Sequence, residues 1–346
     1  MSKRSAKKEI RVLGIDIGQN LSYLHGVDAE GHRVLWKQVS REKILAFMVD
    51  LKPCLVGLKA CGGAHHLART LKEMGHDVRI MAPQLLKPYV KGGKNSDLVK
   101  AICEAVQQPD MRFVSVKSIE QQDLHTLHRV RSMAVAHQTA LINHTRILLM
   151  EYGIPLPEGS SHFRKQLPEI LKNIENGATV ALRELLGALR NELVYMGKRV
   201  DGFDIEITKV SQQNESCRLL QSIPGIGPLT ATAFMAAVGD VRAFKSGREM
   251  VAWLGLVPLP HSTGDEIRPL GISKRGNAYL RMLLVHGARA ALAQAPAKKD
   301  RLSRWVTELK KRRGGNVATV ALAAKNVRIA WALLSKGEAF KVSDAV

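Results

Sequence analysis

The chain has 346 residues but only four cysteines, Cys54, Cys61, Cys103 and Cys217, and no two stand in a C-x-x-C or other zinc-ligand spacing. That argues against a zinc site or a disulfide framework and for reduced thiols in a cytoplasmic protein. No apolar signal core follows the basic opening MSKRSAKKEI. The long apolar stretch at 317–334 is interrupted by Lys325 and Arg328, which argues against a membrane span. No internal repeat is visible. Acids are scarce as well: 31 Asp and Glu stand against 52 Lys and Arg, a formal net charge of +21. An excess of that size predicts a polyanionic partner. Nucleic acid fits better than an acidic membrane, because no long basic amphipathic helix stands alone.

What the chain does have is enough apolar residue, 45%, for genuine cores, and enough length for two domains with a helical connector. The first hundred residues read as an ordered series. IRVLGIDIG, LSYLHGVDA and RVLWKQV are three strands, expected as an antiparallel meander around the turn EGH. Ser40 is positioned to cap a helix over REKILAFMVDL. CLVGLKA is a strand, GAHHLARTLKEMG a helix, DVRIMAP a strand, and after the loop KGGKN a helix runs from about Ser96 to Val106. The succession β-β-β-α-β-α-β-α is that of a ribonuclease-H-like domain, expected over 9–110. Residues 111–215 are helical by pattern, a long helical or coiled-coil arm if not an ordinary bundle. Residues 216–297 form a mostly helical third region, and 298–346 a basic helical tail. The fold class expected is therefore α/β followed by α.

Three places could carry chemistry. The first is Asp16, an acid inside an apolar strand, where a carboxylate is costly unless a cation or donors meet it. Nucleases of this topology hold Mg²⁺ with acids at the first strand, the end of the fourth and the last helix. Here the fourth strand ends in Lys59, and the last helix offers Asp97 at its start and Glu104 two turns on. An ammonium and a carboxylate about 4 Å apart attract by roughly 4 kcal/mol at an effective dielectric near 20. Asp16 is thus either a metal ligand short of partners or half of an ion pair with Lys59. A junction nuclease built on Asp16, Asp97 and Glu104 is a weaker alternative.

The second place is SIPGIGPLTA, residues 222–231, which looks like a helix-hairpin-helix turn. Gly225 and Gly227 would let backbone N–H groups approach a phosphate without reading sequence. A plain tight interhelical turn is the alternative. The third is the Pro-rich loop carrying His261, Ser262, Thr263 and Gly264, followed by the basic turn Ser273-Lys274-Arg275-Gly276 and a helix with Arg281. A hydroxyl near Lys and Arg, with His261 beside it, could attack a phosphate. An ST-turn is the commoner use of HSTG. His65, His66, His125 and His128 lack metal-ligand partners in spacing, and KSIEQQDLHTLHRVRS reads as a polar helix face.

Taken in order, GIDIG, ACGGAHHLAR, RIMAPQLLKPYVK, AICEAV, QQDLHTLHRVR, LLQSIPGIGPLTA, FKSGREMVAWLGLVP, HSTG and GISKRGNAYLRMLLVHGARAAL resemble insertion-sequence transposases of the IS-one-ten family, in particular its IS-eleven-eleven branch. The resemblance covers about residues 10–337. It implies a RuvC-like domain with four acids binding Mg²⁺, a coiled-coil arm, and a transposase domain with a serine nucleophile. It also implies recombination through a covalent serine–DNA link, guided by a structured bridge RNA that pairs with target and donor DNA. The working form would be a homo-oligomer, dimer or tetramer, combining the RuvC-like domain of one subunit with the serine domain of another. By the resemblance Asp16 matches the first acid and Ser262 the nucleophile; Gly225, Gly227, Lys274, Arg275 and Arg281 are the nucleic-acid-binding candidates read from the residues themselves. Lys59 stands where the family has Glu, and KNSDLVK is one residue short of the family's paired acids, leaving Asp97. A catalytically impaired copy that only binds RNA and DNA is therefore the alternative to an active recombinase.

Overall fold

A computed structural model of the chain describes residues 9–92, 95–263, 266–338 and 340, with the backbone alone at 95, 96, 260–263 and 266–270. It divides into two compact units, Met1–Ile119 and Glu120–Val346.

The first unit is built on a mixed sheet. Its elements in chain order are β1 (Val12–Asp16), β2 (Leu21–Val27), β3 (Arg33–Ser40), α1 (Ile44–Val49), β4 (Leu55–Lys59), α2 (Ala64–Glu73), β5 (Asp77–Met81), α3 (Pro83–Leu86), α4 (Asn95–Ala105) and β6 (Phe113–Val114). The strands lie in the order β3-β2-β1-β4-β5-β6. β1, β2 and β3 pair antiparallel, while β1, β4 and β5 pair parallel, each crossover carried by a helix. The meander and the α/β alternation read from the sequence are present; α3 and the short edge strand β6 add to them.

Apolar side chains alternate along β1 and β4 to both faces, so both faces are covered. Leu13, Ile15, Val56 and Leu58 pack with residues of α1 and α2 on one side. Val12 and Val27 pack with Ile102, Cys103 and Val106 on the other. Burial of each such aliphatic side chain contributes about 1.5–3 kcal/mol. α4 comes unusually close to the sheet because Gly14 and Gly57 sit beneath it. A Cβ at Gly14 would lie 2.6 Å from the Val99 carbonyl, and one at Gly57 would lie 3.0 Å from Val106 Cβ. Ser40 differs from expectation: its side chain makes no capping bond, because the chain first passes through a 3-10 turn, Arg41–Lys43, before α1 begins.

The second unit is helical apart from one hairpin. It opens with α5 (Ile119–Glu151), α6 (Ser160–Lys172) and α7 (Val180–Gln213). These share a core of Ile142, Leu149, Phe163, Leu167, Leu182, Leu186 and Leu193. The helical pattern expected over 111–215 is broken between α6 and α7. There Asn173 and Asn176 accept the Glu175 and Ala178 N–H groups, Gly177 takes φ +74°, and Thr179 caps α7 by accepting from Leu182 N.

The rest comprises α8 (Glu215–Gln221), α9 (Pro228–Val238), α10 (Gly247–Trp253), the hairpin β7 (Pro258–Thr263) and β8 (Glu266–Ile272), α11 (Ala278–Gln294), α12 (Arg301–Arg313) and α13 (Gly315–Lys336). One core unites Leu220, Phe234, Met250, Leu284 and Val306 with Leu322 and Val327. Among the described residues α13 is long and apolar enough to cross a membrane. Its Ala318, Leu322, Ala323, Val327 and Ala330 are buried in this core, while Lys325 is half-buried and Arg328 exposed.

Candidate functional site

In the first unit the parallel register sets Ile15 beside Leu58, so the next residues, Asp16 and Lys59, emerge together at the strand ends. Asp16 is 7% exposed. Lys59 Nζ lies 2.6 Å from its Oδ1. The contact is an ion pair without hydrogen-bond alignment, and no other group of the described residues donates to that oxygen. Cys61 closes the same corner: its Sγ lies 3.9 Å from the Ile17 carbonyl, and burial pushes its thiol up, so it stays protonated. Arg41 Nη2 donates to the Gly62 carbonyl at 3.3 Å.

Asp97 is folded back onto the preceding loop, where a Cβ at Gly92 would come 3.0 Å from its Cγ. The residues by which α4 meets β1 and β4 are Val99, Ile102 and Cys103. Glu104 lies 4.0 Å from Lys100, one turn earlier. Mg²⁺ wants oxygen ligands at about 2.0–2.1 Å in octahedral array. At this strand end one carboxylate already faces a full positive charge, and the neighbouring strand supplies nitrogen where a second oxygen is needed. The residues present do not fit a Mg²⁺ centre there.

In the second unit the loop expected around HSTG is a strand pair. The backbones of His261 and Ser262 pair with Arg268 and Ile267, and Thr263 with Glu266. The Ser262 side chain and Gly264 lie outside the described residues. The root of the hairpin is tightly held. Ser273 N donates to the Val257 carbonyl at 2.9 Å and Lys274 N to the Gly255 carbonyl at 3.1 Å. Lys274 adopts φ +55°, a left-handed turn position uncommon for a side-chain-bearing residue. Gly255 and Gly276 also have positive φ, and each presses on the opposite segment, on Arg275 and Trp253 backbone respectively. Arg281 clamps this turn: its Nη1 donates to the Arg275 carbonyl at 2.7 Å and to the Leu254 carbonyl at 3.0 Å. Its guanidinium is thus engaged with backbone, whereas the Lys274 and Arg275 side chains stay exposed.

The two glycines of SIPGIGPLTA separate in role. Gly225, at φ +87°, lies against the Gly287 carbonyl of α11, so its missing Cβ serves a helix–helix contact. Gly227 is the N-cap of α9, with nothing within 4 Å of an added Cβ. That end of α9 is the open one, with the positive end of the helix dipole behind it. Asn326 of α13 steadies the turn by donating to the Pro224 carbonyl at 2.9 Å.

The polar face read over QQDLHTLHRVRS is not all surface. His128 is 2% exposed, with Nε2 3.0 Å from Thr232 Oγ1 and Nδ1 3.1 Å from the Tyr279 hydroxyl. Burial, then the Arg131 and His125 charges, lowers its pKa to about 4. Arg131 forks onto Asp204 of α7, with Nη2 at 3.0 Å from Oδ2. A signal existed in the sequence, since His128, Arg131 and Ala134 fall on one helical face, but polar residues on that face hid a buried stripe.

Comparison with known proteins places this assembly in a class. Residues 217–303 match the model of the Transposase IS116/IS110/IS902 family. The transposase for insertion sequence element IS1111A of Coxiella burnetii is 42% identical over 340 residues, covering 98% of this chain and 93% of the relative. A probable family 20 transposase of Pseudomonas aeruginosa is 44% identical over 331 residues, 95% of this chain and 98% of its own. The transposase for insertion sequence element IS1328 of Yersinia enterocolitica is 34% identical over 334 residues, 96% and 98% of the two chains. Two of these are named transposases of insertion sequence elements and the other a probable transposase. The chain belongs to the IS116/IS110/IS902 transposase family.

Proposed function

We propose that the chain binds the DNA ends of its element and a target DNA, and exchanges strands between them with Ser262 as the nucleophile. The single observation that supports this most is the clamped hairpin. A reactive hydroxyl must be held against a phosphodiester to within a fraction of an ångström, and the Gly255, Lys274, Gly276 and Arg281 contacts fix the base of the ribbon that carries Ser262. In the step proposed, the serine oxygen forms a bond to phosphorus, its proton leaves to a base, and one bridging P–O bond breaks, its oxygen taking up a proton. Rejoining reverses these changes with a different DNA hydroxyl. Lys274 and Arg275 at the hairpin root, and the open end of α9 at Gly227, are suited to hold phosphates.

The strand order β3-β2-β1-β4-β5 with its antiparallel and parallel halves supports a ribonuclease-H-like, RuvC-like reading of the first unit. Guidance by a bridge RNA and assembly of a homo-oligomer belong to the same proposal, and the +21 charge favours both nucleic acids as partners. The Mg²⁺ expected of such a unit does not enter the proposed step.

The test is a covalent-adduct assay with the purified protein, its element's RNA and labelled end DNA. A denaturation-resistant protein–DNA band that vanishes in Ser262→Ala is the expected result. A band that persists in Ser262→Ala would refute the serine assignment. One observation favours a second reading: the Asp16–Lys59 pair closes the strand-end site. On that reading the chain is an impaired copy that only binds RNA and DNA, and no adduct forms while binding remains.

A further inference from the structure

Between Lys298 and Lys336 the chain carries eleven basic side chains and two acidic ones. Both acids are engaged elsewhere. Asp300 caps α12 by accepting from Ser303 N at 2.9 Å, and Glu308 pairs with Lys311 at 2.8 Å. Cations outnumber acids here by eleven to two, and three of the cations converge.

Lys325 Nζ sits 4.2 Å above the Trp305 ring. That contact shows how α12 lies against α13, two helices that reverse direction at Gly314 and share one apolar core. Arg301 is one turn before Trp305 on α12, and Arg328 is one turn after Lys325 on α13, so the reversal brings both to the same side. Arg328 is rooted by close packing, since a Cβ at Gly247 would lie 3.0 Å from its Cα. Arg301 and Arg328 are exposed and Lys325 is half-buried. Desolvation first, then the charges of Arg328 and Arg301, lowers the pKa of Lys325, and no carboxylate among the described residues offsets them. Held like charges of this kind weaken a fold. The π face of Trp305 returns part of the cost to one of them; the rest calls for an anion from outside.

We propose that Arg301, Lys325 and Arg328, set by the Trp305 contact, form a docking site for the phosphate backbone of duplex DNA. This rests on the DNA-recombinase reading above and adds a surface to it. Duplex backbone is favoured over a single strand by Trp305 itself. Single-stranded RNA and DNA are held largely by stacking bases on exposed aromatic faces, and here the ring in the middle of the cluster is already covered by Lys325. Contacts of this kind fix register and orientation on the duplex and carry no base sequence.

The experiment measures binding of the full chain to labelled duplex DNA of two unrelated sequences across a salt series. The variants are Arg301→Gln/Lys325→Met/Arg328→Gln and a charge-matched arm control, Lys165→Gln/Lys172→Gln/Lys209→Gln. Each phosphate contact contributes about 0.9 to the log–log salt slope. The cluster variant is expected to lower the slope by about 2–3 and the affinity on the order of tenfold or more, equally on both sequences. Its thermal midpoint should be unchanged or higher, because repulsion has been removed; a merely structural cluster would lower it. An equal slope loss in the arm control would make the effect one of bulk charge and overturn the site. A cluster variant that binds like the unaltered chain would overturn the site and leave the recombinase reading standing. Loss on single-stranded RNA alone, with duplex binding intact, would overturn the choice of partner. An unaltered chain that binds no duplex at all would sink both.

Discussion

Replacing Lys59 by Met isolates the energetics of the strand-end site. The side chain keeps nearly its length and apolar stem and loses only its charge. Asp16 would then be a carboxylate 7% exposed, with its Oδ1 facing no donor or cation among the described residues. Breaking a buried pair by removing one partner costs about 3–5 kcal/mol. The Lys59 side chain is 23% exposed, so water relieves part of this, and the expected loss is about 2–4 kcal/mol. A unit near a hundred residues long then melts on the order of 10 °C lower. The assay is urea unfolding of the full chain combined with hydrogen exchange at the β1 and β4 amides, because two units need not unfold together. Asp16→Asn/Lys59→Met should recover most of the loss, since the orphaned charge is gone. Lys59→Glu should be worse than Lys59→Met without divalent ions, and should regain stability in millimolar Mg²⁺ where the unaltered chain does not respond. A Lys59→Met variant within about 0.5 kcal/mol of the parent, or a double variant no better than the single, would refute the reasoning.

Two further outcomes are expected. His128 titrates near pH 4 in the folded chain against about 6.5 when unfolded, so the unfolded state binds more protons between those values. Its stabilisation is complete above pH 6.5 and is lost as pH falls toward 4, by up to about 3 kcal/mol; urea midpoints of the second unit against pH, compared with His128→Asn, check this, and identical slopes would refute it. Gly225→Ala should cost at least about 2 kcal/mol, because a Cβ would meet the Gly287 carbonyl at a positive φ. Gly227→Ala, in open space at φ −96°, should cost well under 1 kcal/mol by thermal melting; equal losses at the two glycines would show that packing does not distinguish them.

The first unit was largely legible because its signals are local. Period-two strands, the turn at EGH and the helix before Gly75 each declare themselves in a few residues. The Asp16–Lys59 pair was legible too, since parallel neighbours at matching strand ends follow from the order of elements alone. What escaped the reading depends on long-range contacts. Nothing near Gly225 announces Gly287, sixty-two positions away, as the reason for its missing side chain. Arg281 looks like a phosphate ligand until the Leu254 and Arg275 carbonyls are found within its reach. The hairpin reads as a loop in the sequence because its strands carry Pro258, Pro260 and Pro269, which a central strand does not tolerate but a two-stranded ribbon does. His128 is hidden in the sequence for the converse reason: a histidine is buried cheaply if a hydroxyl meets each nitrogen, and Thr232 and Tyr279 come from distant helices.

One physical rule separates the two basic sites. A buried or crowded charge must find its counter-charge somewhere, within the chain or beyond it. Lys59 finds it 2.6 Å away in Asp16, and the pair is closed to any further ligand that needs either charge. Among the described residues Lys325 meets a ring face and no carboxylate pairs with Arg301, Lys325 or Arg328, while Asp300 and Glu308 are committed to a helix cap and to Lys311. Among the described residues the cation at the strand end is neutralised and the three on α12 and α13 are not, so on the proposed reading charge is spent at the strand end and kept where a phosphate backbone would dock. The expected outcome is that affinity for DNA and behaviour at the strand end separate: the Arg301, Lys325 and Arg328 variant should lose duplex binding with the Asp16–Lys59 pair intact, and Lys59→Met should lose stability with the salt slope unchanged.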